Sequence, residues 1–357
     1  MAPADDDISI EEKRVYAGSA GRTDAYVATG AGVVRVALSA DKVGSFGMIA
    51  RAPANDVAVC PRDGADLLGV ATDDGLRIAP IGDDPTFESV GPPESGGPVG
   101  DGPAVAVGVH GDAFIVAGAD GRVDRVAFGG QSGDEDYHAA SPEAGATGPD
   151  GDVLLSPMTT DVGKAPDPRA VDGPLVAAAD GVYRVTETDG ADGATRAGTV
   201  ESGDETGDGV TLVSVGLDDA CDVAGAGVPL GATATGLYWL GNGWMSAHEG
   251  NATAVAADGN GHAMAVVDSE LLVHGDETVN GTEPRSGDDR DAVGWCRDSW
   301  IPTTLPVAER PVALGYGPGV AVVVTDGGTL CVDAGDGWRQ QIVGVRDVTG
   351  VALTAVE

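Results

Sequence analysis

The sequence predicts an all-β fold, a β-propeller of seven blades, from three observations. Seven times a short apolar run breaks at a small or acidic residue, usually followed by glycine, and then resumes: AYVATGAGVVRVAL, LLGVATDDGLRIAP, FIVAGADGRVDRVAF, LVAAADGVYRVTE, GATATGLYWLG, MAVVDSELLVHG and AVVVTDGGTLCVD. Each copy reads as a tight β-hairpin, and a chain of self-similar hairpins is an array of like units. A further apolar strand precedes several hairpins, as DVAVC, AVAVGV, TAVAA and PVALGY. Helical patterning is nearly absent, because no window of useful length carries a 3.6-residue apolar stripe free of Gly and Pro; Rossmann and TIM-barrel folds are disfavoured.

The hairpin turns fall at Gly32, Gly75, Gly121, Gly181, Gly236, Glu270 and Gly328, so successive turns lie 34 to 60 residues apart. A four-stranded propeller blade takes about 40 to 50 residues, so most of these intervals fit one blade with loops of varying length. The inner strand and the hairpin can be read directly, while the fourth strand lies at an exposed edge and carries a degenerate pattern. FESV and WRQQIVG are the candidates for it in the second and last units. The chain ends in RDVTGVALTAVE, whose VTGVALTA resembles the strands that precede the other hairpins but has no hairpin after it. Pairing of this strand with the first hairpin, around Tyr26 to Val36, would close the ring and remove its open ends. The competing closure uses RVYAGSA, residues 14–20, as that blade's own inner strand. The expected organisation is an acidic tail over 1–14 and a single propeller domain over 15–357, with insertions near 129–172, 187–222 and 275–310.

Composition bounds the partners. The chain has 57 acidic and 20 basic residues, a net charge of -37, and its only lysines are Lys13, Lys42 and Lys164. The acids are spread along the whole length, as in proteins adapted to molar salt, where a Debye length of roughly 3 Å leaves little long-range steering. Nucleic-acid binding is disfavoured, because no segment clusters Lys or Arg with aromatics. Cys60, Cys221, Cys296 and Cys331 lack CxxC spacing and read as buried free thiols. The opening MAPADDDISIEEKR has no secretory apolar core, and no 18-residue apolar run occurs. The expectation is a cytoplasmic monomer without a membrane partner.

A search for chemistry returns little. GxSxG, HExxH, Walker and EF-hand patterns are missing. GAGVPLG from Gly225 and GYGPG from Gly315 open no helix and read as blade turns. His110, His138, His248, His262 and His274 have no ligand spacing, and the acidic clusters near Asp134 and Asp204 lack the register of a calcium loop. No catalytic residue, metal or cofactor is therefore expected. The candidate binding residues are Trp295, Arg297, Asp298 and Trp300 in VGWCRDSWIPTTLP, with Trp239 and Trp244 in LYWLGNGWM. Trp and Arg are common at the centres of binding surfaces, whereas the alternative makes the rings plugs between blades of a core otherwise built from small residues.

Taken together, the hairpins resemble propellers of the YVTN/WD40-like class, and the acidic, lysine-poor chain looks like a haloarchaeal β-propeller family from about Val15 to Val356. The Gly-His and Trp-Asp pairs of true WD40 blades are missing, as is the repeated tryptophan register of quinone-cofactor propellers. The resemblance implies a fold and a lineage, and brings no catalytic residues with it. Two functions follow as expectations. One is a non-enzymatic protein-interaction platform of a halophilic archaeon. The alternative is a channel-mouth ligand binder or a hydrolase/lyase-type propeller enzyme. A channel lined by Val, Ala and Gly favours the first, and convergent polar groups at one mouth favour the second.

Overall fold

A computed structural model describes residues 21–62, 64–90, 102–128, 157–188, 209–275 and 294–356. These residues form seven antiparallel four-stranded sheets. Each sheet is one blade, and its strands are lettered A to D from the central channel outward. The A strands of blades 1 to 7 are Val348–Val356, Asp56–Cys60, Ala104–His110, Pro168–Asp172, Ala220–Ala224, Ala252–Ala257 and Pro311–Gly317. Among the described residues the only helical element is a single 3-10 turn, Arg297–Ser299.

Blade 1 takes its A strand from the C-terminal end of the described chain. Val348–Val356 pairs antiparallel with Arg22–Thr29, as in Tyr26 opposite Ala352, so the expected closure by VTGVALTA is the observed one. Residues 14–20, the competing strand, lie outside the described residues. FESV and WRQQIVG supply D strands, at Glu88–Ser89 and Arg339–Ile342. The insertions are narrower than expected: strands at 157–164, 168–172, 209–216, 220–224 and 300–303 fall inside the stretches read as insertions. Their polar D strands and A strands carrying Arg169, Asp172 or Asp222 lack a clean apolar run. The acidic tail over 1–14 and the clusters near Asp134 and Asp204 lie outside the described residues.

The hairpins between strands B and C are fixed by a small device. Thr29, Thr72 and Thr233 end their B strands, and each hydroxyl donates to the carbonyl of the glycine three residues on, at 2.7, 2.7 and 3.1 Å. For Thr29 and Thr233 the same oxygen accepts that glycine's N–H at 3.1 Å. The turn amide and carbonyl are thus satisfied without water at the end of a buried strand. Gly32 has φ +139, and a Cβ there would stand on the Ala50 carbonyl, so this turn requires glycine.

The core lies between blades. Strand residues alternate faces, so each packs toward one neighbour or the other: Val57 joins the cluster with Tyr26, Val33 and Leu68, while Ala58 joins the one with Phe114 and Phe128. Deleting residues 347–357 would remove the A strand of blade 1 and leave the apolar faces of blades 1, 2 and 7 unmatched. The expected outcome is loss of the cooperative melt in circular dichroism and an enlarged hydrodynamic radius in gel filtration; an unchanged melt would contradict the closure.

Candidate functional site

The central channel is the natural place to look, because all seven A strands border it. It encloses a cavity of about 400 Å³. Six A strands enter it with a β-bulge, which turns one extra side chain out of the ladder. The bulge residues are Thr349, Val105, Arg169, Cys221, Thr253 and Val312; Asn55 holds the corresponding place in blade 2, and all seven line the cavity. Four of them donate to the neighbouring blade's backbone: Thr349 to Ala54 O at 2.9 Å, Asn55 to Ala104 O at 3.0 Å, Arg169 to Ala220 O at 3.2 Å and Cys221 to Ala252 O at 3.1 Å. These bonds satisfy carbonyls on strand edges that no further strand can cover.

Three carboxylates complete this ring of contacts. Asp56 accepts from the N–H of Val57 at 2.8 Å and from that of Val107 in blade 3 at 3.0 Å. Asp222 repeats the arrangement, accepting from Val223 at 2.9 Å and from Val255 in blade 6 at 2.8 Å. Asp172, two positions further along its strand, accepts from Gly225 in blade 5 at 2.6 Å. Enclosure by protein pushes Asp56 and Asp222 up to about 7 against the pull of their amide donors, and the charge of Asp172 adds to the rise. Asp172 lines the lumen and is exposed there, yet its carboxyl is also raised by desolvation. Among the described residues no group of three or more His, Cys, Asp or Glu side chains is placed to hold a metal ion. The carboxylates are committed to strand amides, and each is spent on joining two blades.

The face that carries the A-to-B and C-to-D connections is more open. At the channel mouth there a recess of about 1090 Å³ is lined by Arg62, Asp66, Asp258, Tyr316, Pro318 and Thr354 among others. A second cavity of about 630 Å³ lies between blades 6 and 7 and shares Asp258, Tyr316, Gly317 and Gly319 with the recess. Asp258 accepts from Asn260 N at 2.7 Å and from His262 N at 3.1 Å, and its other oxygen meets His262 Nδ1 at 2.8 Å. Burial raises its carboxyl, but these hydrogen bonds outweigh that and leave it below the usual carboxylate range. In the sequence GYGPG from Gly315 and His262 read only as turn residues, and Arg62, Asp66, Asp258 and Thr354 carry no signal, because the site is assembled from loops of blades 2, 6 and 7 and the end of the closing strand. Asp56 and Asp222 had a signal: both open an Asp-Val-Ala stretch at the same register of their A strands.

The candidate binding residues fall elsewhere. Trp239, Trp295 and Trp300, with 8%, 7% and 4% exposure, join one cluster between blades 5 and 6. His274 stacks on Trp295 at 4.0 Å with an interplanar angle of 7°, and its Nδ1 and Nε2 face the carbonyls of Gly261 and Gly294 at 2.9 and 2.5 Å. Trp244 is half-buried and donates its indole N–H to Val215 O at 2.9 Å. Arg297 and Asp298 are exposed in the 3-10 turn. The structure thus brings three tryptophans together inside an interface and leaves the two charged residues on the surface. Of the cysteines expected to be buried, Cys60 and Cys331 are; Cys221 is half-buried and Cys296 is exposed, because it precedes the surface turn and does not sit in a strand.

Fold and channel together define a seven-bladed β-propeller closed by its terminal strand and tied around the channel by side chains. The chain belongs to the HVO_0234-like beta propeller family, whose profile matches residues 9–354. No curated protein sequence matches it. Among solved structures it is similar to AztD of Citrobacter koseri, with 11% identity over 94% of this chain and 99% of that one and a TM-score of 0.50. It is also similar to YCF48 bound to D1 peptide, with 11% identity over 82% and 83% of the two chains and a TM-score of 0.48. These likenesses concern the fold.

Two outcomes follow from the site's chemistry. Replacing Trp295 or Trp300 with alanine opens a void between blades 5 and 6 and should cost about 3 to 5 kcal/mol each in denaturant unfolding. Asp56 and Asp222 bind protons more tightly folded than unfolded, so stability falls as pH rises from the unfolded value of 3.8 through about 7. Each should contribute on the order of 4 kcal/mol to this fall, and Asp222→Asn should flatten the slope of unfolding free energy measured between pH 5 and pH 8.

Proposed function

We propose that this chain is a non-enzymatic protein-interaction platform, and that its working surface is the face bearing the A-to-B and C-to-D connections. The observation that carries the reading is where the chain's longest connections leave and rejoin the blades. The C strands of blades 3, 4 and 6 end at Phe128, Thr188 and His274 and their D strands begin at Pro157, Gly209 and Trp300, so the widest C-to-D separations in the chain all have their described ends at this face. Pairing of Phe128 with Pro157, Thr188 with Gly209 and His274 with Trp300 holds those ends together. The recess at the channel mouth lies on the same side. Rigid blades presenting variable connections on one side are a common way to build a recognition surface.

The channel itself supports a structural part in this reading. Its carboxylates accept from backbone amides, and its bulge residues tie blade to blade, so no nucleophile and base stand free to act together. The same reading takes the net charge of -37 as adaptation to a salt-rich cytoplasm. It takes the protein to be a monomer there, with no nucleic acid, membrane or cofactor among its partners. In the described residues no helix is long and apolar enough to cross a membrane.

The test is comparative capture from an extract of the source organism in molar KCl. Pro318→Arg with Asn260→Arg places bulk and charge on the proposed face, where both residues are exposed. Asp74→Arg does so at a B-to-C turn on the opposite face. A specific partner should be retained by the wild type and by Asp74→Arg, and at least tenfold depleted with the double variant. Equal retention by all three, or retention of nothing above a blank resin, would overturn the reading.

A further inference from the structure

The cavity between blades 6 and 7 has a composition unlike the rest of the surface. Its apolar side is formed by Met264, Val273, Ile301, Val320 and Ala321, and Trp338 adds a half-buried indole. Ile301 faces this cavity because it alternates along its strand with Trp300, which packs toward blade 5. Among the described residues the only acids that line the cavity are Asp258 and Asp333, and no Arg or Lys lines it. The one basic side chain type present is histidine, and His262 already has its Nδ1 on Asp258.

Tyr316 marks where channel, recess and cleft meet, since it borders all three cavities. Its hydroxyl has no hydrogen-bond partner among the described residues, although burial and the nearby charges of Asp258 and Asp333 push its ionisation up. Asp333 accepts from Gly335 N at 2.8 Å and from Gly337 N at 3.1 Å through one oxygen, and its second oxygen is unengaged. A cavity of about 630 Å³ is within the size range of small-molecule sites. An apolar wall, the rings of Trp338 and Tyr316 and two carboxylates together are what an ammonium group on an apolar body would require.

We propose that this cleft binds a small organic cation with an apolar body, its charge drawn by Asp258 and Asp333 and its body received by Trp338, Ile301 and Val273. Cation–π contact with Trp338 or Tyr316 adds to the carboxylate attraction where the site excludes water. The proposal stands apart from the platform reading, since it concerns a small molecule and purified protein.

The probe is benzyltrimethylammonium, compared with the neutral near-isostere 2,2-dimethyl-3-phenylpropan-1-ol, in calorimetric or ligand-observed NMR titrations. In 1 M KCl the Debye length is roughly 3 Å, so the general pull of an acidic surface is removed and only close contacts discriminate. The cation should bind at least tenfold more tightly than the alcohol, and Asp258→Asn with Asp333→Asn should abolish that preference. Ile301→Arg, at a partly exposed position, should cut cation binding by more than tenfold while leaving the thermal melt in place, which separates loss of the site from loss of the fold. Equal binding of cation and alcohol, no saturable binding of either, or binding unchanged in Ile301→Arg would overturn the proposal. Loss of partner capture would leave it standing.

Discussion

Every blade of a propeller has an inner strand whose edge faces the channel and cannot be paired with another strand. In this protein that edge is handled by a β-bulge at the entry of six A strands and by the side chains the bulges release. Thr349, Asn55, Arg169 and Cys221 donate to the next blade, while Asp56, Asp172 and Asp222 accept from it. An unmatched buried amide or carbonyl costs about 1 to 3 kcal/mol, so these contacts weigh heavily against a net stability of the usual size. They link chain segments that are otherwise joined only by packing of Val, Ala and Leu. The closing strand depends on the same ring, since Thr349 reaches Ala54 and Gly350 leaves room for Asp56.

That arrangement explains why channel polarity does not amount to chemistry here. A carboxylate accepting two backbone N–H groups is fixed in place and shielded, and its raised ionisation follows mainly from enclosure, with a smaller push from the neighbouring channel carboxylates. Arg169 in the channel wall is likewise engaged, with its guanidinium on Asp219 at 2.7 Å. The groups left without a partner among the described residues lie at the other end, where the Tyr316 hydroxyl and the second oxygen of Asp333 meet the cleft between blades 6 and 7. Scaffold and recognition are thus separated along the channel axis.

The tryptophans illustrate how scarce bulk is distributed. With aromatics at 4% of the chain, most blade interfaces are filled by small side chains, and two rings pack between blades 2 and 3, Phe114 and Phe128, edge to face at 6.0 Å. Between blades 5 and 6 the filling comes from Trp239 on a strand and from Trp295 and Trp300 at the close of the long C-to-D connection. Stacking of His274 on Trp295 pins the return of that connection to blade 6. In its described part, the 3-10 turn between the two rings leaves Arg297 and Asp298 exposed.

The sequence by itself determined the number of blades and the B-to-C hairpins and pointed to the closing strand against one rival, residues 14–20, because each depends on local signals: alternation, a small or acidic residue with Gly at the turn, and an apolar strand without a partner hairpin. Polar inner strands such as PRAVD and ACDVA escaped that reading, since their charged residues serve neighbouring blades far away in the chain. The face on which the long connections emerge follows only from counting all four strands of each blade, including D strands with almost no pattern. Tertiary structure alone decided that Trp295 and Trp300 point inward, and that Asp258, Tyr316, Asp333 and Trp338 share a cleft. Residues drawn together from separate loops by ring closure leave no periodicity behind them, so their meeting is a property of the closed ring.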